Sequence, residues 1–316
     1  MARIAFQMDP LDRLVPKTDT TLALIAEMKR RGMQDLYIYT PKELMMINGR
    51  IQARGRHVIT MGESDLPDCG PSELLDLHSF DLVFLRQDPP FDMAYITSTY
   101  LLEKLQPEVC VVNDPKGVRD WPEKIAVTAF PHLTPPTLIA RDYKAIADFQ
   151  EHVGDCVMKP LYGHAGQHVF HLQKGDVNRQ VAYEMFTSLV AEPWVIQKFL
   201  PNVLQGDKRI ILIDGEPMAG MNRIPGEATI RSNTARGGTA RMVPLTPREK
   251  EICKELGPHL RANGLVLAGI DVIDGWLTEI NVTSPTGLCM IRDIGGPDLI
   301  PVLADCVLKK IRKSSC

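Results

Sequence analysis

Two β-forming runs, residues 265–273 and 276–280, flank Asp274-Gly275. An Asp-Gly pair between such runs predicts a two-residue hairpin, because both central positions of a type I′ turn need φ > 0. Side chains alternate faces along a strand at about 3.4 Å per residue. Glu279 and Asn281 therefore share a face, and the hairpin sets Asp271 beside them. Two carboxylates and an amide oxygen, with no thiolate, suit a hard cation such as Mg²⁺, which keeps some of its water and binds phosphate. A solvated hairpin face fits this segment equally well.

Lys159 ends the apolar run CVMK and is followed by a loop, YGHAGQH, with Gly163 and Gly166. A lysine at a strand end before a glycine loop suits phosphate oxygens, with loop N–H groups folding over them. Taken singly, such a lysine is more often exposed, and Lys124, at the expected start of a helix, reads as a surface residue. In QKFLP a proline stops a strand at Gln197, Lys198, Phe199 and Leu200, where backbone groups free of the ladder suit a purine edge. A strand merely ended by proline is the commoner case. Arg209 and Arg223 are expected on neighbouring strands, with Arg231 and Arg236 in a polar loop, residues 230–238, long enough to close over a site. The planar guanidinium fork matches phosphate and carboxylate and keeps its charge. Four solvated arginines would be ordinary. The eight histidines show no HExxH spacing and there is no G-x-S-x-G elbow, which argues against zinc hydrolases and serine triads. The methionines, Met45 and Met46 among them, read as core filler.

The elements that must hold these groups follow from periodicity. Strands at 3–8, 36–39, 81–85 and 109–112 alternate with helices at 19–31 and 93–105, which predicts an open parallel α/β sheet up to about Trp121. Strands at 137–140, 156–159, 169–172 and 194–199, with one or two helices between, predict a small α+β lobe. A further group at 209–214, 218–223, 265–273 and 276–280 is closed by a helix at 297–311. The expected domains are 1–121, 122–200 and 201–316.

The chain of 316 residues is 44% hydrophobic and 24% charged, within the globular range and long enough for more than one domain. A formal charge of −3 argues against a partner that demands a strongly basic surface, such as nucleic acid. The first residues lack the apolar core of a signal peptide, and no apolar run nears the roughly 20 residues of a membrane span. The reading is a cytoplasmic protein with no membrane partner. Seven widely spaced cysteines with no CxxC pair read as free thiols.

In combination these residues resemble the ATP-grasp superfamily and, within it, the bacterial glutathione synthetase family. The likeness runs over nearly the whole chain: MDP at 8–10, PKTDTT at 16–21, RQDPPFD at 86–92, NDPKGVRDWPEK at 113–124, QKFLP at 197–201, GDKRIILIDGEP at 206–217, RIP at 223–225 and TEINVTSPTG at 278–287. It implies an ATP-grasp fold, α/β and α+β, with an N-terminal open parallel-sheet (pre-ATP-grasp) domain. It also implies an ATP-dependent carboxylate–amine ligase that joins γ-glutamylcysteine to glycine through an acylphosphate. By the same resemblance Lys124, Lys159, Gly163 and Gly166 meet ATP phosphates, while Gln197, Lys198, Phe199, Leu200 and Asp207 complete the nucleotide site. Asp271, Glu279 and Asn281 hold two Mg²⁺, replaceable by Mn²⁺. Arg209, Arg223 and Arg231 steady the transferred group under a lid at 230–238. Lys17, Arg86, Asp88, Ser284, Pro285, Thr286 and Gly287 bind substrate, and the assembly is a homotetramer. Two features depart from the family pattern: the loop reads Tyr162-Gly163-His164-Ala165-Gly166 where the family has acid-Gly-x-Gly-Gly, and a few residues are inserted around 288–290, near the acceptor amine. The competing readings are a related ligase with another amine or carboxylate, and a non-catalytic nucleotide-binding regulator.

Overall fold

The computed structural model describes residues 2–62, 65–164, 166–226 and 238–314. The first sheet is built from β1 (Ile4–Met8), β2 (Leu36–Tyr39), β3 (Leu44–Ile47), β4 (Arg50–Thr60), β5 (Asp68–Asp76), β6 (Leu82–Arg86) and β7 (Cys110–Val112). Helices α1 (Thr20–Arg30), α2 (Met93–Glu103) and α3 (Pro115–Asp120) cover it. Every residue of β1 is buried, as expected for a strand with parallel neighbours on both edges and layers on both faces. Helix α1 starts where the Asp19 carboxylate accepts from Leu22 N at 2.7 Å, and it stops at Gly32, whose φ of +81° no side chain tolerates well.

The sheet is mixed rather than wholly parallel. Only β2, β1, β6 and β7 run parallel; β4 is antiparallel to β2, β3 and β5. The extension is a hairpin arm turned at Asn48-Gly49, both with φ > 0. On it Met46 is exposed and Met45 half-buried, so this pair is not core filler: β3 lies at the margin of the sheet.

The second sheet has the order β10-β9-β11-β8, antiparallel throughout: β8 (Thr137–Ala140), β9 (Cys156–Pro160), β10 (Phe170–Leu172) and β11 (Trp194–Lys198). It packs with α4 (Tyr143–Val153) and α5 (Arg179–Leu189) around its own core of Ile146, Met158, Phe186, Trp194 and Ile196. The third sheet, order β14-β13-β12-β15-β16, is also antiparallel: β12 (Asp207–Ile213), β13 (Glu216–Ile224), β14 (Thr239–Met242), β15 (Leu267–Ile273) and β16 (Trp276–Asn281). Helices α6 (Pro247–Ala262), α7 (Leu288–Asp293) and α8 (Ile300–Ser314) complete it.

The first and third sheets share apolar cores. One cluster joins Tyr39 and Val83 to Ile270 and Leu277; another joins Phe6 and Phe84 to Ile211 and Leu303. A buried amide fastens the two sheets. Asn113 Nδ2 donates to the Leu267 and Val282 carbonyls at 2.7 and 2.8 Å, and its Oδ1 accepts from Leu267 N at 2.9 Å. The β15–β16 hairpin is thereby held from both ends by a residue of the N-terminal lobe.

Candidate active site

A cavity of about 570 Å³ opens where the three sheets meet, with Asp88 on one wall, Lys159 on the second and Glu279 on the third. Its floor is set by strand register. Arg209 on β12 faces Asp271 on β15, which faces Glu279 on β16, and Asp207 faces Arg223 across β12 and β13. The turn at Asp274-Gly275, φ +52° and +74°, fixes that register, and a bulge after Asp271 keeps its side chain on the cavity side with Glu279 and Asn281.

Arg209 grips Asp271 with two parallel hydrogen bonds, Nε to Oδ1 at 2.5 Å and one terminal nitrogen to Oδ2 at 2.9 Å. Room for the guanidinium comes from Gly269, where a Cβ would lie 3.1 Å from the Arg209 Cδ. Arg223 adds contacts to Asp271 at 2.9 Å and to Asp207 at 2.5 Å, and its Nε is buried without a partner among the described residues. Burial pushes the Asp271 carboxyl up, but Arg209 and Arg223 outweigh it and hold it well below the usual carboxylate range. These two arginines are thus buried parts of the floor rather than a solvated surface.

Lys159 and Lys124 are buried too, against the surface positions their sequence context suggests. Lys159 donates to Glu279 Oε1 at 3.2 Å. Lys124 does not open an α-helix. It sits in a turn-rich segment that adds to the edge of β16, where Ile280 N donates to the Glu123 carbonyl at 3.0 Å. That backbone bond sets Lys124 Nζ 3.8 Å from Glu279 and 2.6 Å from the Gly163 carbonyl, to which it donates; Nζ also pairs with Glu123. Burial raises the Glu279 carboxyl, yet Lys124 and Lys159 prevail and lower it; burial raises Glu123, and Lys124 only partly offsets this. Sequence reasoning passed over Glu123, although its adjacency to Lys124 in PEK was visible. Glu123, Asp207, Asp271 and Glu279 face Lys124, Lys159, Arg209 and Arg223, so the centre of the cleft balances four carboxylates against four cations.

Among the described residues no three His, Cys, Asp or Glu side chains converge as a metal site, so a cation here would have to take its oxygens from Asp271, Glu279 and the Asn281 amide. Asn281 spends its NH₂ on the Gly269 carbonyl at 3.1 Å and on Asp271 at 3.5 Å, which leaves its carbonyl oxygen for the cavity. The donors are all oxygen and their carboxylates are ionised, which fits Mg²⁺.

Of the residues that the resemblance assigns to the nucleotide, Gly163, Gly166, Gln197, Lys198, Phe199, Leu200 and Asp207 all line the cavity. The backbone at the strand end is less free than expected. Lys198 N donates to Pro136 O at 2.9 Å and Phe199 N to Asp155 O at 2.8 Å, so Leu200 N is the strand-end donor left over among the described residues. The Gln197 amide is used on Thr137 Oγ1 at 2.9 Å. On the opposite wall Asp88 and Ser284, Pro285, Thr286 and Gly287 line the cavity. Gly287 has φ +113°, and a Cβ there would lie 2.8 Å from Met221 Cε, so no other residue fits without displacing that methionine.

Arg86 and Lys17 do not line the cavity. Arg86 is buried behind it, donating to Thr21 Oγ1 at 3.1 Å and to the Pro285 carbonyl at 3.3 Å, while its own carbonyl accepts from Ser284 Oγ at 3.2 Å. It shapes the 284–287 loop instead. Lys17 is exposed at the rim, between Val15 and Thr18, which do line the cavity. Arg13, Asp19, His164 and Met290 also face it; none stands out as a site residue by its own type, although Asp19 lies in PKTDTT, His164 in the glycine loop and Met290 in the insertion at 288–290. Arg231, Arg236, Ala165 and most of the 230–238 loop lie outside the described residues.

Residues 2–119 match the model of the prokaryotic glutathione synthetase N-terminal domain, and residues 123–296 match that of the prokaryotic glutathione synthetase ATP-grasp domain. The chain belongs to the prokaryotic glutathione synthetase family. Family members named glutathione synthetase include one from Rhodopseudomonas palustris, 48% identical over 98% of both chains, and one from Bradyrhizobium diazoefficiens, 49% identical over 98% of this chain and 99% of that one. Solved structures share the fold at low identity. The D-cycloserine synthetase DcsG has a TM-score of 0.69 at 13% identity, covering 98% of this chain and 99% of that one. The ATP-grasp ligase PsnB, solved with a precursor peptide and AMPPNP, has a TM-score of 0.63 at 16% identity and covers 98% of both. The ATP-grasp architecture of this synthetase family is therefore that of the three sheets described above.

Proposed function

We propose that this chain makes glutathione, transferring the γ-phosphoryl group of ATP to the cysteinyl carboxylate of γ-glutamylcysteine and then letting the amine of glycine displace phosphate. The observation that carries the reading is the cavity floor, where register-paired Asp271 and Glu279 lie among Lys124, Lys159, Arg209 and Arg223. A carboxylate is a poor electrophile, so it must be activated, and its phosphorylation spreads charge over oxygens that cations stabilise. Lys124 and Lys159 lie beside the Gly163 loop and neutralise the triphosphate. Arg209 keeps a second terminal nitrogen without a hydrogen bond among the described residues, and that nitrogen is the donor for the transferred group. Magnesium held by Asp271, Glu279 and Asn281 would supply Lewis-acid neutralisation of phosphoryl oxygens. Leu200 N and the walls at Phe199 and Val203 take the adenine. The 284–287 loop, backed by Arg86, holds the peptide and the acceptor amine opposite the phosphates. Orienting three reactants in one cleft is worth about 7–11 kcal/mol of the barrier. The homotetramer expected from the resemblance belongs to the same reading, and sedimentation equilibrium measures it directly.

Phosphate release from MgATP and γ-glutamylcysteine, with glycine or other small amines and with products weighed by mass spectrometry, tests the reading. It predicts glycine-dependent release with glutathione as product. ATP binding without product would leave a nucleotide-binding regulator, and release with another amine alone would replace the acceptor.

A further inference from the structure

The loop between β9 and β10 carries an imidazole into the cleft. His164 is half-buried, lines the cavity with Gly163, Gly166 and Lys124, and makes no hydrogen bond through either ring nitrogen among the described residues. Hydrogen bonds anchor the described residues on either side of it. Gly163 N donates to Pro160 O at 3.2 Å, Gln167 N donates to the His164 carbonyl at 3.1 Å, and the Gly163 carbonyl accepts from Lys124 at 2.6 Å. The neighbouring Tyr162 ring packs 5.8 Å from that of Phe91, which ties the loop to the wall that carries Asp88. The imidazole therefore lines the cleft beside Lys124 and the loop glycines, on the side that Tyr162 joins to the Asp88 wall.

We propose that His164 contacts the terminal phosphate of bound ATP and takes up a proton as the nucleotide binds, which gives ATP affinity a pH dependence that the other cations of the site do not supply. The inference rests on the reading that ATP phosphates lie against this loop. The charged groups that bias the ring are Lys124, on the segment beside β16, and Asp88, on the loop after β6. Burial and Lys124 hold the free imidazole below its ordinary value, and Asp88 offsets this only in part. Unliganded His164 is then mostly neutral at pH 7. A polyanion arriving beside it reverses the balance, since an opposite charge favours the protonated form. The proton comes from solvent and the new N–H donates to a phosphate oxygen; no covalent bond changes.

The sign follows from linkage. Binding raises the pKa of His164, so affinity is greatest at low pH and falls as pH rises between the free and bound values, by at most about tenfold per pH unit for one proton. ATP dissociation constants are measured from about pH 6 to 8 for the unmodified protein, His164→Gln and His164→Lys. ATP titrates in this range as well, so the reading is the difference between proteins. The unmodified protein should lose roughly tenfold more affinity than His164→Gln over that range, and His164→Lys should bind more tightly than His164→Gln at the high end. Equal slopes for the unmodified protein and His164→Gln would overturn the proposal. Calorimetry in two buffers of different ionisation enthalpy gives a second readout: greater net proton uptake, or smaller net release, on ATP binding near neutral pH by the unmodified protein than by His164→Gln supports it, and equal values for the two proteins overturn it. No ATP binding by the unmodified protein at any pH would instead remove the nucleotide reading on which the proposal stands.

Discussion

Asp271 is ionised only because two arginines outweigh its burial, so its charge contributes to stability as well as to the site. A carboxyl held below its unfolded value gives a contribution that is present above that value and is lost as pH falls through the folded one. Asp271→Asn should therefore be less stable than the parent at neutral pH, with the gap closing below about pH 4; parallel acid-denaturation curves would contradict this. Glu279→Gln keeps the volume but removes a proposed metal donor and the partner of two buried lysines. Turnover should fall by about 100-fold or more, with a higher Mg²⁺ requirement and a smaller loss in denaturation midpoint. Near-parent turnover at limiting Mg²⁺ in a folded Glu279→Gln protein would remove it from the metal site. The shared face of Glu279 and Asn281 was legible because side-chain alternation is local. The burial of Lys124 and Lys159 was not, because it depends on a segment far along the chain folding onto the edge of β16.

At the scale of elements, the local signals that worked were those with a steric cause. Asp274-Gly275 makes its hairpin as expected, and Asn48-Gly49 and Asp214-Gly215 turn the same way with paired positive φ values, though they were not singled out. Helix α6 was also overlooked, despite a capping box at its start in which Thr246 and Glu249 satisfy each other's N–H groups. The antiparallel arm of β3–β5 escaped because β3 is short, β5 is largely exposed and two of the buried positions of β4 are the small Ala53 and Gly55, which weakens the apolar period that separates strand from loop. The Asn113 staple could not be foreseen either, since one asparagine at a strand end has many fates. Asn113→Ala leaves buried groups of Leu267 and Val282 unpaired and should lower stability by about 2–4 kcal/mol. The activity loss should exceed that expected from unfolding, because the staple sets the hairpin that carries Asp271 and Glu279. A change of midpoint within error would show that the lobes are held by apolar packing alone.

Over the whole molecule, the first and third sheets share continuous cores while the second sheet has its own, so the cleft lies between a jointly packed pair of sheets and a separately packed lobe. Its carboxylates pair with lysines and arginines of the chain itself. Removal of divalent cations should therefore abolish turnover while leaving the thermal transition of the nucleotide-free protein unchanged. A large downward shift on chelation would make the metal part of the fold. The central claim is that this cleft activates a carboxylate by phosphorylation. The most direct measurement supplies γ-glutamylcysteine with ¹⁸O in its cysteinyl carboxylate, together with MgATP and glycine, and weighs the phosphate released. The acylphosphate route predicts one ¹⁸O in each phosphate formed; phosphate free of the label alongside glutathione would contradict it.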